Sequence, residues 1–137
     1  MHSFDVFVFF NIYIFCLKFF VHIKINVMSN IYPDIIKDLP EANIPFDGVR
    51  GWVAQGENHQ IVFFEIEAIG KVPRHSHAAQ WGVVIDGNMD LTIGGDTKNY
   101  RKGDHYFISE GVLHSAIFHT RTIVMDYFAE KDRYVLL

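Results

Sequence analysis

The feature that most constrains the fold is a series of short β-prone segments separated by glycine-containing turns. Residues 61–67 are rich in Val, Ile and Phe, which favour strands, and the turns Asp86-Gly87-Asn88 and Gly94-Gly95-Asp96 end two later segments. Short strands at close spacing with glycine turns are typical of an all-β sandwich or barrel. We therefore predict an all-β fold whose barrel covers about residues 49–129.

The same pattern gives the expected strands one by one. We predict strands over residues 49–55, 61–67, 81–85, 89–93, 97–101, 106–108, 114–119 and 122–128. Residues 70–73 are expected to interrupt the series, and residues 133–137 to add an edge strand. No helix of useful length is expected after Pro45.

Two histidines, His75 and His77, are separated by a single residue. In a strand, residues i and i+2 point to the same face, so both imidazoles are expected to face one point. Gln80 follows closely with an amide oxygen, and His114 supplies an imidazole from a distant segment. Three imidazoles and one amide oxygen suit a divalent transition metal such as Zn, Fe, Mn, Ni or Cu, whereas nitrogen ligands disfavour Mg and Ca.

The segment around this pair resembles the first sequence motif of the cupin superfamily, which combines a glycine, a His-x-His pair, a glutamate and a closing glycine. Here Gly70 precedes the pair and Gly87 closes the motif. Gln80 stands at the glutamate position, with six residues between it and the closing glycine. A glutamine there would leave the ligand set neutral and the bound ion at its full charge, which favours an anionic further ligand.

A second segment resembles the second cupin motif. It begins at Gly103 and reaches His114, with Ser109 where the motif usually has proline and Phe118 where it usually has asparagine. The resemblance, to small single-domain RmlC-like cupins, implies a double-stranded β-helix, the cupin jelly-roll barrel. It also implies a metal site made by His75, His77, Gln80 and His114.

Several residues are candidates for the wall of a ligand pocket. If His114 faces inward, Phe118 does so too, which makes that wall apolar and suited to a ring or an alkyl group. Trp81 and Tyr106 are further candidates, although either could equally be plain core. Arg74 could meet a substrate carboxylate at the rim, or it could be a solvated surface charge.

Two functions follow from this site, and the sequence leaves both open. The first is a metal-dependent cupin enzyme that acts on a small, anionic organic molecule in the manner of a dioxygenase, an isomerase or a cyclase. The alternative is a non-catalytic cupin module that binds or senses a small ligand. No catalytic residue can be named, since fold does not select the reaction.

Net charge and cysteine content limit the kinds of partner and the cellular compartment that we expect for this chain. The net charge of −4 gives no electrostatic footprint for nucleic acid. The single cysteine, Cys16, cannot form an internal disulfide, which fits a cytoplasmic protein. We expect a homodimer, because a sheet of this size leaves edges that need cover. Residues 31–45, which contain three prolines, are expected to lie over the barrel surface and to reach the partner.

Residues 1–27 form an apolar N-terminal extension that is unlike residues 28–137, the expected single cupin domain. Residues 6–23 have about the length of a thin bilayer span, but Asn11 and Lys18 interrupt them. We expect a misplaced start, with Met28 as the working start and no membrane association. A membrane anchor and an added strand are the alternatives.

Overall fold

The computed structural model describes residues 30–137, and the predictions for residues 1–27 lie outside the described residues. The described part contains one helix, α1 (Asp34–Lys37), which is too short to span a membrane. Its strands are β1 (Val49–Gln55), β2 (Gln60–Ile66), β3 (Gly70–His75), β4 (Gln80–Asp86), β5 (Asn88–Ile93), β6 (Asp96–Arg101), β7 (His105–Ile108), β8 (His114–Phe118) and β9 (Thr122–Phe128).

The strands form two antiparallel sheets. One sheet has five strands in the order β1-β2-β9-β4-β7, and the other has four in the order β3-β8-β5-β6. The apolar core lies between them and takes side chains from both sheets, such as Phe64 and Val124 from the first and Leu91 and Phe118 from the second. The predicted all-β jelly roll is therefore confirmed.

Alternation along the strands explains why the two sheets face each other. In β2 the residues at even positions, from Gln60 to Ile66, are buried, while those between them are only partly so. A period of two places one row of side chains in the core and the other outside. The hairpin between β5 and β6 is also as predicted: Gly94 has φ +66° and links the paired residues Ile93 and Asp96.

Two strand predictions were wrong. Residues 70–73, expected to interrupt the series, begin β3, which pairs with β8. Proline is tolerated because the register shifts between Val72 and His75, so that Pro73 lies at an irregularity of the ladder. Residues 133–137 do not form an edge strand, since the chain there makes one isolated bridge, between Ala42 and Leu136.

Residues 31–45 lie over the barrel of their own chain. The hydroxyl of Tyr32 donates a hydrogen bond of 2.8 Å to the carbonyl of Val124, and its ring packs with Trp52 and Ile123. Glu41 makes an isolated bridge to Trp52 in β1. The arm therefore covers part of the five-stranded sheet of its own chain, as expected, and its contact with a partner stays a prediction.

Candidate metal centre

Three imidazoles converge at one end of the space between the sheets. His75 ends β3, and His114 begins β8 as its cross-strand partner. His77 lies just beyond β3, so it is the loop and not strand alternation that brings it to the cluster. The potential ligand atoms of the three residues all lie within 4.8 Å of one another.

The backbone fixes which ring nitrogen faces the cluster. The Nδ1 atoms of His75, His77 and His114 each lie 2.8 Å from a backbone carbonyl, of Pro73, Ala78 and Val112 respectively. A carbonyl oxygen can only accept, so each Nδ1 carries the proton and each Nε2 carries a lone pair. All three rings therefore present the form of imidazole that ligates metals through Nε2.

The charge state of the cluster suits a cation. Burial is the main cause that lowers the pKa of His77 to about 4, against the opposing hydrogen bond to Ala78, and burial also lowers the pKa of His114. The Nε2 atoms of His77 and His114 lie 3.0 Å apart. Two neutral rings facing each other with lone pairs repel unless a cation or a proton lies between them. The donor set thus fits a divalent transition metal.

Gln80 lines the same cavity as the histidines. It begins β4, is 7% exposed and points to the inner side of the five-stranded sheet. Its amide forms a hydrogen bond with the carboxylate of Asp126. The amide nitrogen is the donor in that contact, so the amide oxygen remains an acceptor for another group.

A buried carboxylate lies behind Gln80. The hydroxyl of Tyr106 donates a hydrogen bond of 2.6 Å to Oδ1 of Asp126. Burial raises the pKa of Asp126 to about 6, against the hydrogen bonds from Tyr106 and Gln80, which lower it. Gly82 is the cross-strand partner of both Tyr106 and Asp126, and a Cβ atom at this position would overlap both side chains. Glycine at this position therefore makes room for the hydrogen-bonded pair.

The polar groups line a cavity of about 110 Å³ whose other walls are mostly apolar. Phe118 and Tyr106, both predicted for the pocket, line it. Trp81 does not: it follows the inward-facing Gln80 in β4, so it points outward and is 39% exposed. Arg74 is exposed and does not line the cavity either. The pocket prediction thus needs correction at Trp81 and Arg74.

Sequence reasoning missed two charged residues near the histidines. Arg133 lines the cavity, and its charge contributes to the lowered pKa of both His77 and His114. An oxygen of Glu130 lies 4.0 Å from Nδ1 of His77. Both residues follow β9 in a segment without strand periodicity, so nothing in the sequence pattern pointed to them.

Comparisons with known proteins agree with the fold and the motif positions. The family model described as "Cupin domain" matches residues 62–127. No curated protein sequence matches the chain. An RmlC-like cupin from Shewanella frigidimarina is similar in structure, with a TM-score of 0.62 and 20% identity over 70% of this chain and 88% of that one.

Two further solved structures are similar. KdgF from Halomonas sp. has a TM-score of 0.58 and 16% identity over 66% of this chain and 87% of that one. A variant of the oxalate decarboxylase of Bacillus subtilis has a TM-score of 0.60 and 17% identity over 70% of this chain but 28% of its own. The match of residues 62–127 identifies a cupin domain in this chain, and the structural likenesses show the same jelly-roll fold.

Proposed function

We propose that this cupin holds a divalent transition metal ion through Nε2 of His75, His77 and His114, with the amide oxygen of Gln80 as a fourth ligand. One observation carries the proposal: three backbone carbonyls hold the Nδ1 protons, so three Nε2 lone pairs are left facing one another. Zn, Fe, Mn, Ni and Cu all accept such a nitrogen-rich set. Asp126 supports Gln80 by holding the amide nitrogen.

The ligand we propose is a small, anionic organic molecule. Such a metal, when bound, polarises an oxygen of the substrate or supplies redox chemistry with dioxygen. The apolar walls, which include Phe118, suit a ring or an alkyl group and exclude water from it. The neutral ligand set favours a negative charge next to the ion. The reaction would be of the dioxygenase, isomerase or cyclase type.

A non-catalytic binding or sensing module is the second candidate, and one observation favours it. Asp126 is the buried carboxyl group of the cavity, and it already accepts hydrogen bonds from both Tyr106 and Gln80. A carboxylate held in this way positions its neighbours and has little freedom to move protons for a substrate. Retention of a metal and a ligand without turnover would support this reading.

The test is elemental analysis of the full chain purified without added metal, followed by dialysis against Zn²⁺. We expect about one transition metal ion per chain, as for a site with three imidazole ligands. Removal by a chelator at neutral pH should be reversible, because the Nδ1 contacts of the rings do not depend on the ion. A chain that takes up no metal under these conditions would contradict the proposal.

We also propose a homodimer, formed through the outer face of the five-stranded sheet. Trp81, Phe107 and Tyr127 are cross-strand neighbours there, and they are 39%, 60% and 38% exposed. A contiguous exposed apolar patch is typical of an interaction surface, and a second copy of the same patch is self-complementary.

Light scattering of a Trp81→Glu/Phe107→Glu variant tests the dimer. We expect this variant to be monomeric at tens of micromolar, a range set by ordinary dimer affinities. The control is Ile117→Glu, because Ile117 is 37% exposed on the other sheet and should leave the dimer intact. A monomeric wild-type chain at the same concentration would contradict the proposal.

A further inference from the structure

We propose that Arg133 binds the carboxylate of the molecule held in the cavity and so selects acids with an apolar body. The inference rests on the proposed function, since the molecule is taken to lie beside the three histidines. Arg133 takes the role for which the sequence offered Arg74 as a candidate, because Arg133 lines the cavity whereas Arg74 is exposed outside it.

Among residues 30–137, the guanidinium group of Arg133 has no carboxylate partner of the kind that Arg50 and Arg121 have. Arg50 pairs with Glu41 at 2.9 Å, and Arg121 lies 3.4 Å from an oxygen of Glu65. Nε of Arg133 is buried and has no hydrogen-bond partner among residues 30–137, and the side chain makes no ion pair with them. A buried donor without an acceptor is costly, so the group is suited to meet an oxygen anion from outside the chain.

Two aromatic rings hold the guanidinium beside the metal site. Its central carbon lies 5.8 Å from the ring centroid of Phe128 and 5.1 Å from that of Tyr134. The Phe128 ring also packs against His77, with centroids 5.4 Å apart. Arg133 is therefore held close to the histidine cluster, and a carboxylate on it would place the body of the ligand in the apolar cavity.

The nearby acidic residues Asp126 and Glu130 do not pair with the guanidinium group of Arg133. Asp126 is engaged by Tyr106 and Gln80. Glu130 lies 4.0 Å from Nδ1 of His77, which is the side of that ring opposite to the Nε2 atom in the cluster. Among the described residues that line the cavity, Arg133 is the one side chain with a permanent positive charge, and an anion in the cavity can meet it there.

The cavity limits the size of the acid. Its volume is about 110 Å³. At roughly 10–15 Å³ for each water-sized group, it has room for on the order of eight to ten non-hydrogen atoms. Benzoate, a ring with one carboxylate, is a probe of this size, and benzamide is a neutral molecule of nearly the same shape.

The experiment is a calorimetric titration of the zinc-loaded full chain with benzoate and with benzamide. We expect Arg133→Gln to weaken benzoate binding by about tenfold or more, as for a charge-assisted hydrogen bond, while benzamide binding stays unchanged. Arg133→Lys keeps the charge and should keep the preference for benzoate over benzamide. Arg74→Gln is the matched control and should bind both molecules like the wild type.

Three outcomes would overturn the inference: no benzoate binding by the wild type, equal benzoate affinity in Arg133→Gln, or an equal loss for benzamide. Zinc content is measured on every protein, which separates this inference from the proposed function. If the wild type holds no zinc, the proposed metal site is wrong. The inference about Arg133 is then still tested by whether Arg133→Gln weakens benzoate binding. If the zinc-loaded wild type and the zinc-loaded Arg133→Gln variant bind benzoate equally well, only the inference about Arg133 is wrong.

Discussion

The two polar clusters that line the cavity differ in what their atoms have left to bind. In the histidine cluster the backbone holds every Nδ1 proton, so the Nε2 lone pairs of His75, His77 and His114 have no donor among residues 30–137. In the second cluster the carboxylate of Asp126 already has two donors, Tyr106 and Gln80. A buried polar group therefore indicates a binding site when its hydrogen-bond partners are missing, and it supports its neighbours when those partners are present.

The clusters also differ in the direction in which burial moves their pKa values. Burial disfavours the charged form, which lowers the pKa of His77 and raises that of Asp126. Both groups are therefore shifted towards the neutral state. For the histidine this is the state that binds metal, and for the carboxyl group it is the state that tolerates an apolar cavity.

The largest expected effect is the loss of metal from the histidine cluster. We expect His75→Ala/His114→Ala to reduce metal content from about one ion per chain to near zero, since a site cannot hold a transition metal with two imidazoles removed. Elemental analysis measures this. The control is His119→Ala, because His119 is exposed and pairs with Asp90 at 2.9 Å away from the cluster. Full occupancy in the double variant would place the metal elsewhere.

The next largest effect concerns the second cluster, in which Asp126 accepts hydrogen bonds from Tyr106 and Gln80. We expect Gly82→Ala to lower the free energy of unfolding by about 2–3 kcal/mol, because the added Cβ overlaps Asp126 and Tyr106 and must displace them. Urea unfolding measures this. Gly95→Ala is the control, since a Cβ at this turn position meets nothing within 4 Å. Equal stability of the two variants would mean that the pair is loosely packed.

The opposite pKa shifts predict opposite effects of acid on the metal-free protein. Asp126 has a pKa raised from 3.8 to about 6, so its contribution to stability is present at low pH and is lost as the pH rises through 6. Its size is on the order of 3 kcal/mol. His77 has a pKa lowered from 6.5 to about 4, so its contribution is present above pH 6.5 and is lost as the pH falls towards 4.

Substitutions should separate these two contributions. Between pH 7 and pH 5, Asp126→Asn should lose more stability than the wild type, because only the wild type gains from protonation of Asp126. His77→Gln should lose less stability than the wild type over the same pH range, because the variant has no buried imidazole that resists protonation in the folded state. Urea unfolding in the presence of a chelator measures both. Parallel pH curves for all three proteins would contradict the assigned shifts.

Much of the fold could be predicted from sequence, because strand alternation and glycine turns are local patterns. The histidine cluster joins distant segments, and it was predicted from the resemblance to the two cupin motifs; the strand alternation expected to orient His77 was wrong, since a loop places this residue. Arg133 and Glu130 could not be predicted, because they follow β9 in an irregular segment whose path depends on the packing of Tyr134 on Phe128. Trp81 was misplaced although alternation from Gln80 already implied that it points outward.

The smallest expected effect concerns Gln80, which belongs to both clusters: its amide contacts Asp126, and its oxygen is the proposed ligand. Gln80→Glu should keep the metal, because a carboxylate is also a ligand, but it lowers the charge of the site by one. Benzoate should then bind several-fold more weakly, by about 1 kcal/mol, to the zinc-loaded variant than to the wild type. The substitution also removes the amide donor from Asp126, which should raise the pKa of that carboxyl group further.

The control for this substitution is Gln60→Glu. Gln60 is a buried glutamine of β2 that hydrogen-bonds Gln55 and the backbone of Tyr134 and does not line the cavity. It should lower stability without changing benzoate affinity. If Gln80→Glu behaves in the same way, Gln80 supports the cavity wall and is not a ligand. The site would then consist of the three histidines, and the preference for an anion would depend on Arg133 alone.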